Sequence, residues 1–411
     1  MRVCFVTRSV PFHDAGGFEN FVFQVGAGLV ERGHEVWVVT KRSKLPAGWP
    51  RWKMHRGMRV GFVGPSNYPF EYSPWFFVES GRLVRSLERH GLDVVVSNNL
   101  GAFGYLLLSG FAPKTPVVAV AHATAASEAL GVRPLVQLLR RAPKTFPVVP
   151  LEWVVFGCAS KIVAVSPNTR RLVAAYRGDW LGKTVTVFNG VDGSVFRPFD
   201  PRDQAASSLR SELGLRQELP TFAYVGRLTK LKGAEEFVDV LGALDRVLRA
   251  RGITTGFQAV VVGSGPLESA LREKCSRLGL EDRVVFAGNR DRLTELPRLY
   301  SLASALVFPS LHPEGMPLTV LEAMGAGTPV VAYSTPGLRS FLKHRQTAWL
   351  VPQGDRDALV TVLARLVERP ETLQNVAKQA RREFEERFAL DRCVEKFNAV
   401  LEEVAPPRGT W

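Results

Sequence analysis

The chain reads as two α/β domains, each a mostly parallel sheet covered by helices on both faces. Short Val/Ile runs recur without polar alternation, the pattern of strands buried on both sides. These runs alternate with helical stretches in two separate series. A length of 411 residues also exceeds what one ordinary core organises.

The first series opens with VCFVT (3–7), then a Gly loop and a helix near 18–32. Further strands are expected at 35–41, 58–64, 93–99, 116–122 and 161–167, with helices at 76–90 and at 146–159, the latter interrupted by Pro147 and Pro150. A polar stretch, 198–220, rich in Pro, Asp, Ser and Arg, follows and suggests a linker near 197–215. The second series has strands at 221–227, 257–263, 283–288, 305–310 and 329–334. Its helices are expected near 233–250, 266–278, 293–302, 317–326 and 355–368. A last helix, 390–404, carries the apolar spacing Cys393, Val394, Phe397, Val400, Leu401, Val404. The domains are therefore expected at 1–197 and 198–389.

Composition is that of a soluble globular chain, 46% hydrophobic and 22% charged. No leader segment is expected, because 2–7 is short and ends at polar residues. No apolar run reaches the roughly 18 residues of a spanning helix. Cys4, Cys158, Cys275 and Cys393 are scattered without ligand or pairing spacing, which suits reduced thiols in a cytoplasmic protein. The net charge of +14 favours anionic partners such as nucleotide phosphates or lipid head groups. No zinc-finger or RNP-like motif is present, so no nucleic-acid partner is expected.

Residues 308–337, FPSLHPEGMPLTVLEAMGAGTPVVAYSTPG, carry the densest chemistry. Glu314 sits in a Pro/Gly loop that runs into a helix, and Glu322 lies eight positions on. Pro317 suits a first helical turn, where a missing N–H costs nothing. Free amides and the positive end of the helix dipole at that tip suit a phosphate. A carboxylate does not favour phosphate, but it accepts well from sugar hydroxyls. The segment thus offers what a nucleotide-sugar requires. A bare glutamate pair would read more simply as solvated helix charge; Gly315, Gly325, Gly327, Pro329 and Gly337 around it argue otherwise. Upstream, GRLTKLKG (226–233) follows a strand and opens a helix. Its Arg227 and Lys232, a planar fork and a point charge, suit a diphosphate, although such a loop is also compatible with an ordinary basic turn.

These segments, with Asn189-Gly190-Val191-Asp192 and Phe196-Arg197-Pro198, resemble the GT-B retaining glycosyltransferases, in particular family 4 (glycosyl transferases group 1). The resemblance covers nearly the whole chain and is densest at 221–337. It implies two Rossmann-like domains facing across a cleft, with helix 390–404 crossing back onto an acceptor-binding N-terminal domain. A sugar would pass from a UDP- or GDP-sugar to an acceptor hydroxyl on a glycolipid, polysaccharide or small-molecule glycan. By resemblance, Arg227 and Lys232 grip the donor diphosphate and Glu314 holds hydroxyls of the transferred sugar. The stretch Gly315, Met316, Pro317 and Leu318 meets sugar and phosphate, and Glu322 holds the ribose. Gly16 and Gly17 lie near the donor phosphates, Gly263 lines the pocket, and Phe286 and Gly288 lie against the base. His122 contacts a hydroxyl without serving as an essential base; Ala123-Thr124 stand where the family often continues with Asp. Asn189 and Asp192 shape the junction.

Family precedent is front-face attack with retention, unlike retaining glycosidases, whose carboxylates lie about 5–5.5 Å apart with one as nucleophile. No metal or other cofactor is implied, and Asp355 and its neighbours read as a helix start rather than a metal pair. The basic segment 133–144, with Trp49, Trp52, Trp75, Phe76 and Phe77, suggests a peripheral contact with the inner face of a membrane, or equally a solvated basic helix. Alternatives are a GT-B phosphorylase or epimerase, or a non-catalytic nucleotide-sugar-binding partner.

Overall fold

The computed structural model describes residues 1–12, 17–42, 45, 48–64, 74–126, 148–200, 202–253 and 256–407. It separates into two compact units: Met1–Gly190 with the C-terminal segment from Leu390, and Val191–Ala389. The first is called the N-unit and the second the C-unit. The division falls at Gly190/Val191, a few residues before the junction expected at 197/198.

The N-unit sheet contains β1 (Arg2–Val6), β2 (Glu35–Lys41), β3 (Trp52–His55), β4 (Met58–Val63), β5 (Val94–Asn98), β6 (Val117–Ala121), β7 (Lys161–Ala164) and β8 (Thr184–Thr186). Its order is β3-β4-β2-β1-β5-β6-β7-β8, and only β3 runs antiparallel to its neighbour. β5 and β6 are buried along their whole length, as their continuous Val/Ala runs require. The helices are α1 (Gly17–Glu31), α2 (Pro74–Glu88), α3 (Phe103–Leu108), α4 (Val148–Cys158) and α5 (Pro167–Tyr176). β3, β8 and α3 are too short to display a period in the sequence, and α5 buries only Thr169 and Val173, so its apolar stripe does not stand out.

The C-unit begins with α6 (Gln204–Glu212) and β9 (Thr221–Val225), followed by α7 (Ala234–Ala250), β10 (Gln258–Val262), α8 (Glu268–Arg277) and β11 (Val284–Gly288). Then come α9 (Leu296–Leu302), β12 (Ala305–Phe308), α10 (Leu318–Ala326), β13 (Val330–Tyr333), α11 (Pro336–Arg339), β14 (Trp349–Val351), α12 (Arg356–Glu368) and α13 (Gln374–Glu383). The sheet is parallel, in the order β11-β10-β9-β12-β13-β14. The stretch expected as a linker is corrected here: α6 lies inside it, capped by Asp203 and burying Ala206 and Leu209. Its polar residues hid a narrow apolar stripe.

The last helix, α14 (Leu390–Val404), belongs to the N-unit. Its Phe397 stacks on Phe5 of β1 at 6.0 Å and meets Phe21 of α1 edge-on at 5.9 Å. The apolar spacing seen in sequence is therefore the face that docks on α1 and β1.

In each sheet the chain winds outward from the centre in both directions. The switch points lie between β1 and β5 and between β9 and β12. Ligands of open α/β sheets bind at the carboxyl ends of strands at such points. In the C-unit those ends lead into 226–233 and 309–317, the two stretches singled out by their chemistry.

Gly233 holds these stretches together. Its φ is +76°, and a Cβ there would lie 1.9 Å from the Pro309 carbonyl oxygen. Gly233→Ala should therefore cost more than the roughly 1–2 kcal/mol of a left-handed residue. Gly214→Ala, with φ +63° and open space around it, should cost only that conformational part. Urea midpoints of the two variants test this; equal losses would show that the approach to Pro309 is unimportant.

Candidate active site

The loop after β9 descends through Gly226 and Arg227 into a 3-10 turn, Lys230–Lys232, before α7. The buried Tyr224 hydroxyl lies 2.9 Å from the Arg227 carbonyl and 3.3 Å from that of Lys232, bracing both ends of the loop. The Leu311 amide donates to the Leu231 carbonyl at 2.9 Å, joining this loop to the one after β12. The arrangement sets the Lys232 ammonium 2.7 Å from Glu314 Oε1. The Arg227 side chain is exposed, and its guanidinium makes no hydrogen bond or ion pair with the described residues.

Glu314 is only 7% exposed. Its Oε1 also accepts from the Ser310 hydroxyl at 2.7 Å, while Oε2 makes no hydrogen bond with the described residues. Burial opposes the charge, but the Lys232 ammonium, with His312 and Ser310, outweighs it and holds the carboxyl below its ordinary range. Gly337 seals the other side, since a Cβ there would lie 1.6 Å from the Glu314 carbonyl oxygen. Glu314 thus presents one anchored and one available oxygen.

Pro317 is the N-cap of α10, with φ −70° and ψ 127°, and the helix begins at Leu318. This corrects the expectation that Pro317 lies within the first turn. No side chain caps this helix. By contrast, Asp203, Thr335 and Asp355 cap α6, α11 and α12. The amides at the start of α10 therefore receive no side-chain acceptor from the cap position. Gly315 is partly exposed, whereas Met316 and Leu318 are buried and anchor the tip.

Glu322, on α10, is 4% exposed and has both oxygens bonded. Arg292 places Nε and Nη2 each 2.7 Å from Oε1, and the Tyr300 hydroxyl lies 3.1 Å from Oε2. The two glutamates therefore differ in kind: one is gripped on both oxygens, the other on one. Gly263 is part of the loop packing, for a Cβ there would stand 2.1 Å from the Gly226 carbonyl oxygen. Its amide donates to the Gly288 carbonyl at 2.8 Å, tying the loops after β10 and β11 together. Phe286 is partly buried beneath the Arg272 guanidinium, 4.5 Å from the ring centre.

In the N-unit, His122 follows β6 and its Nε2 lies 2.8 Å from Asn98 Oδ1. Burial, with the positive charge of Arg8, lowers the imidazole to about 3. Gly17 begins α1; Gly16 lies outside the described residues, as does the segment 133–144. The aromatic patch expected with that segment is corrected in part. Phe76 and Phe77 are 2% and 9% exposed, inside the N-unit core, while Trp52 and Trp75 are 39% and 59% exposed. α2 turns its two phenylalanines inward to fill the layer against α3. No helix among the described residues is long and apolar enough to cross a membrane.

Residues 206–383 match the model of the glycosyl transferases group 1, and residues 15–194 match that of glycosyltransferase family 4. A D-inositol 3-phosphate glycosyltransferase of Mycobacterium marinum is 30% identical over 364 residues, covering 84% of this chain and 72% of its own. The chain is a group 1, family 4 glycosyltransferase. An N-acetyl-alpha-D-glucosaminyl L-malate synthase of Bacillus anthracis is 22% identical, covering 96% and 95% of the two chains. Among solved structures, a sucrose-phosphate synthase of Thermosynechococcus elongatus superposes with a TM-score of 0.78, at 23% identity and 98% coverage of both chains. Anabaena HepE, in complex with UDP-glucose, gives 0.74 at 20% identity, with 98% and 100% coverage. The fold of this glycosyltransferase is GT-B.

Sequence reading missed Ser310, Tyr224, Arg292, Tyr300 and Asn98. None belongs to a spaced motif; Ser310 and Tyr224 act within their own loops, while Arg292, Tyr300 and Asn98 reach their partners from elements well separated in the chain.

The Lys232–Glu314 pair gives a signed pH test. Lys232→Met leaves Glu314 buried without its main counter-charge, so its carboxyl should rise above the usual range. The folded variant then binds a proton more readily than the unfolded chain, and its stability falls as pH rises. The gap in thermal midpoint between K232M and the parent should be narrow near about pH 5 and widen toward about pH 8. A gap that does not change with pH would refute the coupling.

Proposed function

We propose that this glycosyltransferase moves a sugar from a UDP- or GDP-sugar to an acceptor hydroxyl with retention of configuration. The observation that carries the reading is the Lys232 ammonium held 2.7 Å from Glu314 beside an uncapped helix tip. Cation, amides and a hydroxyl acceptor converge there, as a diphosphate joined to a sugar demands. The UDP-glucose bound to Anabaena HepE, which shares the fold, supports a nucleotide-sugar donor.

In this reading Arg227 and Lys232 bind the diphosphate, and Glu314 Oε2 accepts from a hydroxyl of the transferred sugar. The amides at the start of α10 face the phosphates. Each oxygen of Glu322 keeps a second lone pair, which would serve the ribose hydroxyls. The bond from the anomeric carbon to the diphosphate oxygen breaks, and the acceptor oxygen bonds to that carbon on the same face. The acceptor proton passes to the departing phosphate oxygen. Arg227, Lys232 and the helix tip stabilise the charge that develops there, so no metal is needed for that task.

Arg227 offers the cleaner test, since no described residue depends on its guanidinium. Arg227→Ala should lower kcat by about a hundred- to a thousandfold, with an unchanged thermal midpoint. A screen of UDP-, GDP- and ADP-sugars by thermal shift and product analysis supplies the donor for that assay. Full activity of R227A, or turnover that begins only with inorganic phosphate as acceptor, would overturn the reading.

A further inference from the structure

The carboxyl ends of β13 and β14, at the outer edge of the C-unit sheet, open into a cleft of about 670 Å³. It shares no lining residue with the candidate active site, and its volume falls in the range of small-molecule sites, about 300–1,000 Å³. The polar lining is Ser334, Arg339, His344 and Gln353, and Leu342, Val351 and Pro352 form an apolar wall. No described Asp or Glu lines it.

The local charge is all of one sign. From Ser334 to Gly354 the chain carries Arg339, Lys343, His344 and Arg345 and no acidic residue. Asp355, the next position, caps α12 by accepting from the Ala358 amide at 2.9 Å. Arg339, Lys343 and Arg345 make no ion pair with the described residues, nor does Arg365 of α12. By contrast Arg356, at the start of the same helix, is held by Glu236 and Asp239. The Arg345 and Arg365 guanidiniums rest on Trp349 instead, 5.0 and 5.9 Å from its ring centre.

The donors are fixed before any ligand binds. Arg339 Nη1 donates to the Ser334 carbonyl at 3.1 Å, which leaves Nε and Nη2 without a described acceptor. The Leu350 amide can only donate, so His344 Nδ1 accepts from it at 3.1 Å. The neutral imidazole therefore carries its proton on Nε2. The ring is steadied edge-on against Trp349, with centroids 5.6 Å apart.

We propose that this cleft binds a phosphomonoester of a small molecule, its phosphate on Arg339 and His344 Nε2 and its body against Leu342, Val351 and Pro352. A guanidinium fork pairs with two phosphate oxygens at once, and the imidazole and the Gln353 amide offer donors for a third. A carboxylate on the rim would repel the dianion, and none is there. Lys343 and Arg345, which flank His344 in the chain, add to the attracting potential. The cleft adjoins Glu314 through α11: Pro336 and Arg339 line it, while Gly337 between them packs on the Glu314 carbonyl. A ligand that grips Arg339 thus restrains the helix on which Glu314 rests. The inference does not depend on the donor or acceptor of the transfer reaction, because occupancy is measured without either.

Nitrogen-15 spectra of the histidine rings, assigned with His344→Ala, report occupancy directly. Glucose 6-phosphate, a phosphomonoester without a nucleobase, should move the His344 signal saturably, whereas glucose should not. Inorganic phosphate should bind less tightly, since it leaves the apolar wall uncovered. Arg339→Ala removes the fork and Gln353→Glu puts a carboxylate on the rim; both side chains are exposed. Each variant should weaken glucose 6-phosphate about tenfold or more, with an unchanged thermal midpoint, and Arg227→Ala should leave its binding as in the parent. A His344 signal that glucose 6-phosphate does not move, or binding that R227A abolishes and R339A and Q353E keep, would overturn the site. Equal affinity for inorganic phosphate would overturn the assignment to a small-molecule ester.

Discussion

Two main-chain segments of the C-unit approach each other more closely than any side chain would allow, and the site is built on that approach. Gly233 admits the Pro309 carbonyl, and Gly337 admits that of Glu314. The first contact brings the loop after β9 onto the loop after β12; the second presses the Glu314 backbone from the opposite side. Only then does the Lys232 side chain, rooted beside Gly233, reach the Glu314 carboxylate. A Cβ at either glycine would force the loops apart by at least about 1 Å, and the pair would separate.

The electrostatics follow from this geometry. Most cations near the C-unit loops are matched locally: Arg292 by Glu322, Arg290 by Glu212 and Glu295, Arg356 by Glu236 and Asp239. Lys232 is matched on one side only, by a carboxylate that Ser310 also holds. Both groups of the pair are thereby held in one orientation by the protein itself. Glu322, gripped by Arg292 and Tyr300, is held more rigidly still. Near-equivalent residues in a motif thus become unlike groups through their neighbours.

The N-unit shows how far sequence reading reaches. Its strands were legible because continuous Val/Ile runs have no other economical place than a sheet covered on both faces. Two members of the expected aromatic patch, Phe76 and Phe77, are buried instead, because Trp75, Phe76 and Phe77 are adjacent in sequence yet α2 turns the last two inward and leaves the first outside. Periodicity identifies a helix; which side of it meets the core depends on what is packed opposite. The polar stretch before β9 failed for a related reason. α6 buries only a few small or aliphatic residues, too few to stand out against their polar neighbours.

By itself, the sequence determined two α/β sheets and singled out Arg227, Lys232, Glu314 and His122 as candidate site residues, because runs, glycines and charged residues are local properties of a chain. Tertiary structure alone decided which of these groups meet. It joined Lys232 to Glu314, bound Glu322 to Arg292 and Tyr300, and set Asn98 beside His122. These partners are separated by tens of residues and are brought together only by strand order. Hydrogen bonds form over about 3 Å, and no spacing along a chain encodes so short a distance between neighbouring strands.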